Sequence, residues 1–152
     1  MSFTVREYGL NDLAAIAELE KQCFENPWSY SAFCLEYADK TKHYFVAETA
    51  SREVAGYGGF AHVEDEAHIM NIGVSPKYRR QGIGSAILNA ILEKSRELGI
   101  RAVTLEVNDA NVGAIALYEK AGFELAGLRP HYYGWGKPAR IYWYYFLPAK
   151  LK

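Results

Sequence analysis

The chain has 152 residues, half of them hydrophobic and 23% charged, and a net charge of −1. That length suits a single domain, residues 1–152, able to bury about two thirds of its extended surface in a core. Near-neutral charge excludes bulk electrostatic recruitment to nucleic acid or to a membrane surface. No apolar run reaches membrane-spanning length and the polar start Met1–Arg6 lacks signal-peptide character, so a cytoplasmic protein is expected.

Phe3–Arg6 alternates and predicts a first strand. Asn11 is placed to cap a helix whose face carries Leu13, Ile16, Leu19 and Cys23. A second helix opens at Pro27-Trp28-Ser29, with Ser29 as N-cap and Trp28 and Phe33 as the two halves of a hydrophobic staple. Strands are predicted at His43–Glu48, Val54–His62 and Ala67–Val74, joined by polar turns at 50–52 and 64–65. A helix then runs to Leu98, followed by a strand at Ala102–Val107, a helix at Asn111–Lys120 closed by Gly122, and strands at Phe123–Leu128 and Arg140–Leu147. The expected class is α/β: a mixed sheet of about seven strands, mostly antiparallel, with about four helices on its two sides. Tyr142–Phe146 reads as a strand buried on both faces.

The segment Lys77-Tyr78-Arg79-Arg80-Gln81-Gly82-Ile83-Gly84-Ser85-Ala86 is the strongest chemical signal. A basic turn enters two glycines spaced G-x-G, and a helical pattern starts at once. Glycines allow close backbone approach, and the N–H groups and dipole of the helix N-terminus favour an anion, so a phosphate or pyrophosphate is expected. A nucleotide-hydrolase P-loop fails for lack of Gly-Lys-Ser/Thr. A dinucleotide fingerprint finds Glu106 about twenty residues on, yet Ile87 fills its third glycine position and Ser75–Gln81 separates the strand from Gly82. Arg79-Arg80-Gln81-Gly82-Ile83-Gly84 meets a third pattern, the R-x-x-G-x-G/A loop that holds the pyrophosphate of coenzyme A.

Behind the loop come Thr104-Leu105-Glu106-Val107-Asn108-Asp109-Ala110-Asn111 and Ala114-Ile115-Ala116-Leu117-Tyr118-Glu119-Lys120-Ala121-Gly122-Phe123. With the loop, these resemble the GCN5-related N-acetyltransferase (GNAT) superfamily. Ala67–Val74, Pro27-Trp28-Ser29 with Phe33, and Arg129 with Tyr132-Tyr133 are similar to its RimI branch, which acetylates the N-terminal alanine of ribosomal protein S18. The resemblance covers nearly the whole chain. It implies acetyl-CoA as cosubstrate, a protein N-terminus as acceptor, and direct transfer within a ternary complex. It places the backbone of Ile72, Gly73 and Val74 and the side chain of Asn111 along the pantetheine arm. Arg79, Arg80, Gln81, Gly82, Ile83, Gly84 and Ser85 would surround the pyrophosphate. Glu106 is then the general base, acting through a water, and Tyr118 the general acid beside the coenzyme sulfur.

Each of these positions also fits a plainer role. Ile72 and Val74 suit sheet core, Glu106 a solvent-facing carboxylate sharing a face with Thr104, and Tyr118 a core aromatic beside Ile115 and Leu117. His68 is placed at the acceptor site, on a pattern that an unengaged histidine would satisfy equally. His43 and His62 read as strand-end surface residues. No histidine has ligand spacing, so no metal is expected. Cys23 and Cys34, on separate helices, read as buried free thiols. Of twelve tyrosines, Tyr132 and Tyr133 fall with Trp135 in the Gly- and Pro-bounded segment 130–138, read as the acceptor-binding loop. Gly134-Trp135-Gly136-Lys137-Pro138 departs from the family pattern and bears on acceptor choice. Two rival functions stand beside this one: acetylation of a small polyamine-like amine, favoured by Glu64-Asp65-Glu66, and non-catalytic acyl-CoA binding.

Overall fold

The computed structural model describes residues 2–146. Seven strands form one sheet: β1 (Phe3–Glu7), β2 (Lys42–Thr49), β3 (Val54–Val63), β4 (Glu66–Val74), β5 (Ala102–Asn108), β6 (Glu124–Arg129) and β7 (Ala139–Tyr145), in the order β1-β2-β3-β4-β5-β7-β6. Only β4 and β5 run parallel. The helices are α1 (Leu13–Cys23), α2 (Tyr30–Ala38), α3 (Ile83–Glu97) and α4 (Val112–Lys120). The expected end of the last strand, Leu147, lies outside the described residues.

Local chemistry sets the helix ends. Ser29 Oγ accepts from Ala32 N at 3.1 Å, and the Trp28 and Phe33 rings meet at 5.7 Å, so the staple forms where predicted. Gly122, at φ +104°, closes α4: its N–H reaches the Glu119 carbonyl and Phe123 N–H the Tyr118 carbonyl, with those two rings edge to face. The first helix starts differently from expectation. Asp12, not Asn11, organises the entry, accepting from Gly9 N at 2.6 Å and from both Arg6 Nη atoms at 2.8 and 2.9 Å. The Arg6 guanidinium holds the Asp12 carboxyl below its usual range, and a short 3₁₀ turn at Leu10–Asp12 precedes α1.

α3 and α4 pack on one face of the sheet, and α1 and α2 cover β2 to β4 on the other. Ile83, Ile87, Leu88 and Ile91 of α3 are buried, worth about 1.5–3 kcal/mol each against exposure. That contact needs Gly58, where a Cβ would stand 2.6 Å from Ile87 Cγ2. β7 corrects the two-sided reading of Tyr142–Phe146. Tyr142, Tyr144 and Phe146 join the core under α3 and α4, whereas Trp143 and Tyr145 stack on each other on the opposite side and Tyr145 is exposed. Among the described residues, the hydrophobic cluster built under α1 and α2 includes no residue of β7.

Candidate active site

The sheet divides between β4 and β5. Their pairing is limited to Glu66–His68 against Ala102–Thr104. Beyond it, Met70 is an extra residue opposite β3: Gly59 pairs with Asn71 and Phe60 with Ile69. Such a bulge bends its strand and increases twist, which carries the end of β4 away from β5. A cavity of about 570 Å³ opens there, lined by His68–Ile72, Leu105–Asn108, Asn111 and Tyr118, and walled by the α1–α2 loop and by Tyr132, Tyr133 and Lys137.

Glu106 reaches this cavity because β5 alternates. Val103, Leu105 and Val107 are buried under α3 and α4, which turns Thr104 and Glu106 to the other face. His68 is in register with Thr104 and shares that face. Its Nε2 lies 2.7 Å from Glu106 Oε1, and Arg129 Nη1 stands 4.0 Å from Oε2. The carboxylate side chain is 9% exposed and the imidazole 42%, so the ring covers the acid. Tyr133 donates its hydroxyl to the Glu106 carbonyl at 3.2 Å, and burial pushes that phenol up to about 12. Tyr118 is buried on α4, and among the described residues its hydroxyl has no hydrogen-bond partner. Burial, and secondly Tyr133, raise its pKa well above the ordinary phenol range. It therefore stays protonated and presents a hydrogen to the cavity it lines.

At the far end of β4, the N-terminus of α3 meets the strand and α4: a Cβ on Gly84 would touch Leu117 and Val74 at 3.5 and 3.9 Å. Gly82 is left-handed at φ +81° and caps α3 without a side chain. Ala86 N closes the first turn on the Gly82 carbonyl, so the amides of Ile83, Gly84 and Ser85 precede the first intrahelical bond and are directed out of the helix end.

The model of the acetyltransferase (GNAT) family matches residues 13–123. The chain belongs to the GNAT family. It is 33% identical over 130 residues to the [ribosomal protein bS18]-alanine N-acetyltransferase of Escherichia coli, covering 86% of each chain. It is 39% identical over 130 residues to the N-alpha-acetyltransferase RimI of Mycobacterium tuberculosis, covering 80% of this chain and 78% of that protein. The crystal structure of the ribosomal-protein-S18-alanine N-acetyltransferase from Escherichia coli superposes with a TM-score of 0.86 at 29% identity, over 99% of both chains.

Within this GNAT frame the expected residues separate into two groups. Ile72, Asn111, Tyr118, Glu106, His68, Tyr132 and Tyr133 line the cavity; Gly73, Val74, Arg79–Ser85 and Trp135 do not. Asn111 is the N-cap of α4, its Oδ1 accepting from Ala114 N at 3.1 Å, which leaves the amide Nδ2 to face a ligand. Arg79 is turned from the loop: its Nε donates to the Val74 carbonyl at 3.2 Å and its Nη2 lies 3.8 Å from Cys23 Sγ. Lys77 is held near Glu53 at 3.4 Å, while Arg80, itself left-handed, has no ion pair among the described residues. Trp135 is 86% exposed and stacks on His131 at 4.2 Å, carried outward by the positive-φ glycines Gly134 and Gly136.

Other expectations need revision. Cys23 and Cys34 are free but only half-buried, and burial raises the Cys23 thiol. His43 is half-buried on Phe60, which lowers its pKa through desolvation. Asp65 and Glu66 pair with Arg101 at 3.1 and 3.0 Å and lie outside the cavity, so the acidic run that favoured a polyamine does not reach the site.

Glu20 escaped the sequence reading. It is 1% exposed and lines the cavity, accepting from Tyr57 Oη, from Trp28 N at 3.1 Å and from Asn71 Nδ2 at 3.5 Å. It thereby ties the α1–α2 loop to the split strand. The signal was its place four residues after Ile16, on the apolar stripe of α1, where a carboxylate needs buried donors. Across the opening, Lys137 Nζ and Glu25 Oε2 meet at 3.6 Å, linking the two loops that wall the cavity.

Proposed function

We propose that this protein moves the acetyl group of acetyl-CoA to the N-terminal amine of a protein, the N-terminal alanine of ribosomal protein bS18 being the acceptor. The observation that carries the reading is the Glu106–His68 pair in one cavity with the donor hydroxyl of Tyr118. The relatives named above supply the acceptor. The unpaired edge of β4 suits a pantetheine arm, whose amides can hydrogen-bond to it as a neighbouring strand would. The first-turn amides of α3 suit the pyrophosphate, and the left-handed Gly82 fits such a cradle because no side chain lies at its open side. Acetyl-CoA supplies the activated acyl group when bound. The chain's residues orient the amine, receive its proton at the Glu106–His68 pair, and offer the Tyr118 hydrogen to the departing sulfur. The cavity is walled by Tyr132 and Tyr133, and the Lys137–Glu25 contact across its opening favours the slender end of a chain over a broad surface.

The two loop glycines should respond differently. Gly82→Val forces a β-branched residue into the left-handed region, costing roughly 1–2 kcal/mol of stability as well as acetyl-CoA affinity. Gly84 is helical with ordinary space around a Cβ, so Gly84→Val should fold normally and lose affinity alone. Calorimetric titration with acetyl-CoA, beside thermal melts of both variants, checks this; unchanged affinity in Gly84→Val would remove the loop from the coenzyme site.

Tyr133→Ala removes a wall of the acceptor opening and the bond to the Glu106 carbonyl. The expected result is a higher KM for an N-terminal peptide with acetyl-CoA affinity unchanged. Steady-state kinetics and calorimetry on the same preparation separate the two, and equal weakening of both ligands would make the loop a structural element.

A further inference from the structure

We propose that His68 is the group that takes the proton from the acceptor amine, with Glu106 as its positioning residue. This rests on the acetyl-transfer reading above and assigns the proton to an atom. His68 is the last residue of β4 in register with β5, so its ring sits where the strands part. It shares a face with Glu106, two residues past its register partner Thr104, which brings Nε2 within 2.7 Å of Oε1.

Neither carboxylate oxygen faces the opening unaccompanied. Oε1 is engaged by His68, and Oε2 faces Arg129 at 4.0 Å, itself stacked over Tyr132. An amine arriving from solvent meets the more exposed imidazole before the covered acid. A carboxylate only accepts hydrogen bonds, so the neutral imidazole donates from Nε2 and keeps its lone pair on Nδ1. Among the described residues no hydrogen bond reaches Nδ1. A covered carboxylate that fixes the tautomer of a more exposed imidazole is the arrangement that makes histidine an effective base in His–Asp pairs.

The protons balance as follows. The acceptor ammonium gives one proton to Nδ1, producing the free amine and an imidazolium stabilised by Glu106. The amine nitrogen bonds to the thioester carbon, the carbon–sulfur bond breaks, and the sulfur takes the Tyr118 hydrogen. The second nitrogen proton is lost as the amide forms and restores Tyr118 through water, while His68, open to solvent, releases its proton there. The net products are the acetamide, the free thiol and one proton.

The test uses the whole 152-residue chain. His68→Ala is expected to lower kcat for an N-terminal peptide by roughly two to four orders of magnitude and to leave acetyl-CoA affinity by calorimetry unchanged. Added imidazoles of graded basicity should restore the rate in order of their basicity, because the freed space opens to solvent. A kcat within about twofold of wild type, rescue that ignores basicity, or no rescue would overturn the assignment. A second readout needs no turnover. Nitrogen-15 spectra of histidine-labelled, ligand-free protein should show His68 in the Nε2–H form, and Glu106→Leu should abolish that preference. An Nδ1–H form in the wild type would overturn the proposal even if transfer occurs. Absence of any transfer by the wild type would instead sink the reading it rests on and leave the tautomer result standing.

Discussion

Glu106→Gln is expected to lower kcat at neutral pH by roughly two to four orders of magnitude. The substitution keeps shape and removes the charge that holds and stabilises the His68 ring, so the loss falls on turnover and spares coenzyme binding. Stability should change little, because among the described residues the side chain's hydrogen bond is to His68, its only other charged contact is the long one to exposed Arg129, and it lies at the cavity wall. The variant should also recover part of its rate in alkaline buffer. An N-terminal amine loses its proton by itself near pH ~7.7–8.0, so rising pH supplies the free amine that the wild type makes for itself. A pH series of kcat/KM on an alanine-starting peptide checks both statements. Wild-type turnover in Glu106→Gln at neutral pH would remove Glu106 from the proton path and leave deprotonation to His68 alone or to bulk water.

Tyr118→Phe tests the other half of the proton traffic. The ring stays against Phe123 and the deleted hydroxyl has no partner among the described residues, so folding stability should move by less than about 0.5 kcal/mol. Turnover should fall about a hundredfold as the leaving sulfur loses its donor. Burial holds the phenol neutral across the working range, which keeps the donor present at every practical pH. Alkaline buffer should therefore give this variant no specific recovery, unlike Glu106→Gln. Single-turnover measurements with saturating acetyl-CoA separate the chemical step from release. A Tyr118→Phe enzyme with wild-type single-turnover rate would return Tyr118 to the core.

What could be read from the residues alone was local. The Trp28–Ser29–Phe33 staple, the Gly122 closure and the strand alternation that turns Glu106 to the cavity all depend on neighbours in sequence, and all appear where spacing placed them. The misses depend on distant partners. Asp12 displaced Asn11 at the helix entry because Arg6 and Gly9 converge on its carboxylate. Arg79 left the loop for the Val74 carbonyl. Among the described residues, Trp143 and Tyr145 lie outside the cluster that α1 and α2 build on the sheet, which no periodicity in β7 can report. The His68–Glu106 contact joins residues 38 positions apart on strands that pair for only three residues, and the bulge at Met70 that opens the cleft beside it leaves no mark in composition.

The central claim is transfer of acetyl from acetyl-CoA to a protein N-terminus, and one competition assay addresses it. Purified protein is incubated with carbon-14 acetyl-CoA and an equimolar mixture of the N-terminal peptide of ribosomal protein bS18, the same peptide with its amine blocked and an internal lysine, and spermidine. The label is located by mass-resolved separation. Label confined to the α-amine of the unblocked peptide is the predicted result. Label on spermidine or on the lysine, with the unblocked peptide unmodified, would contradict it.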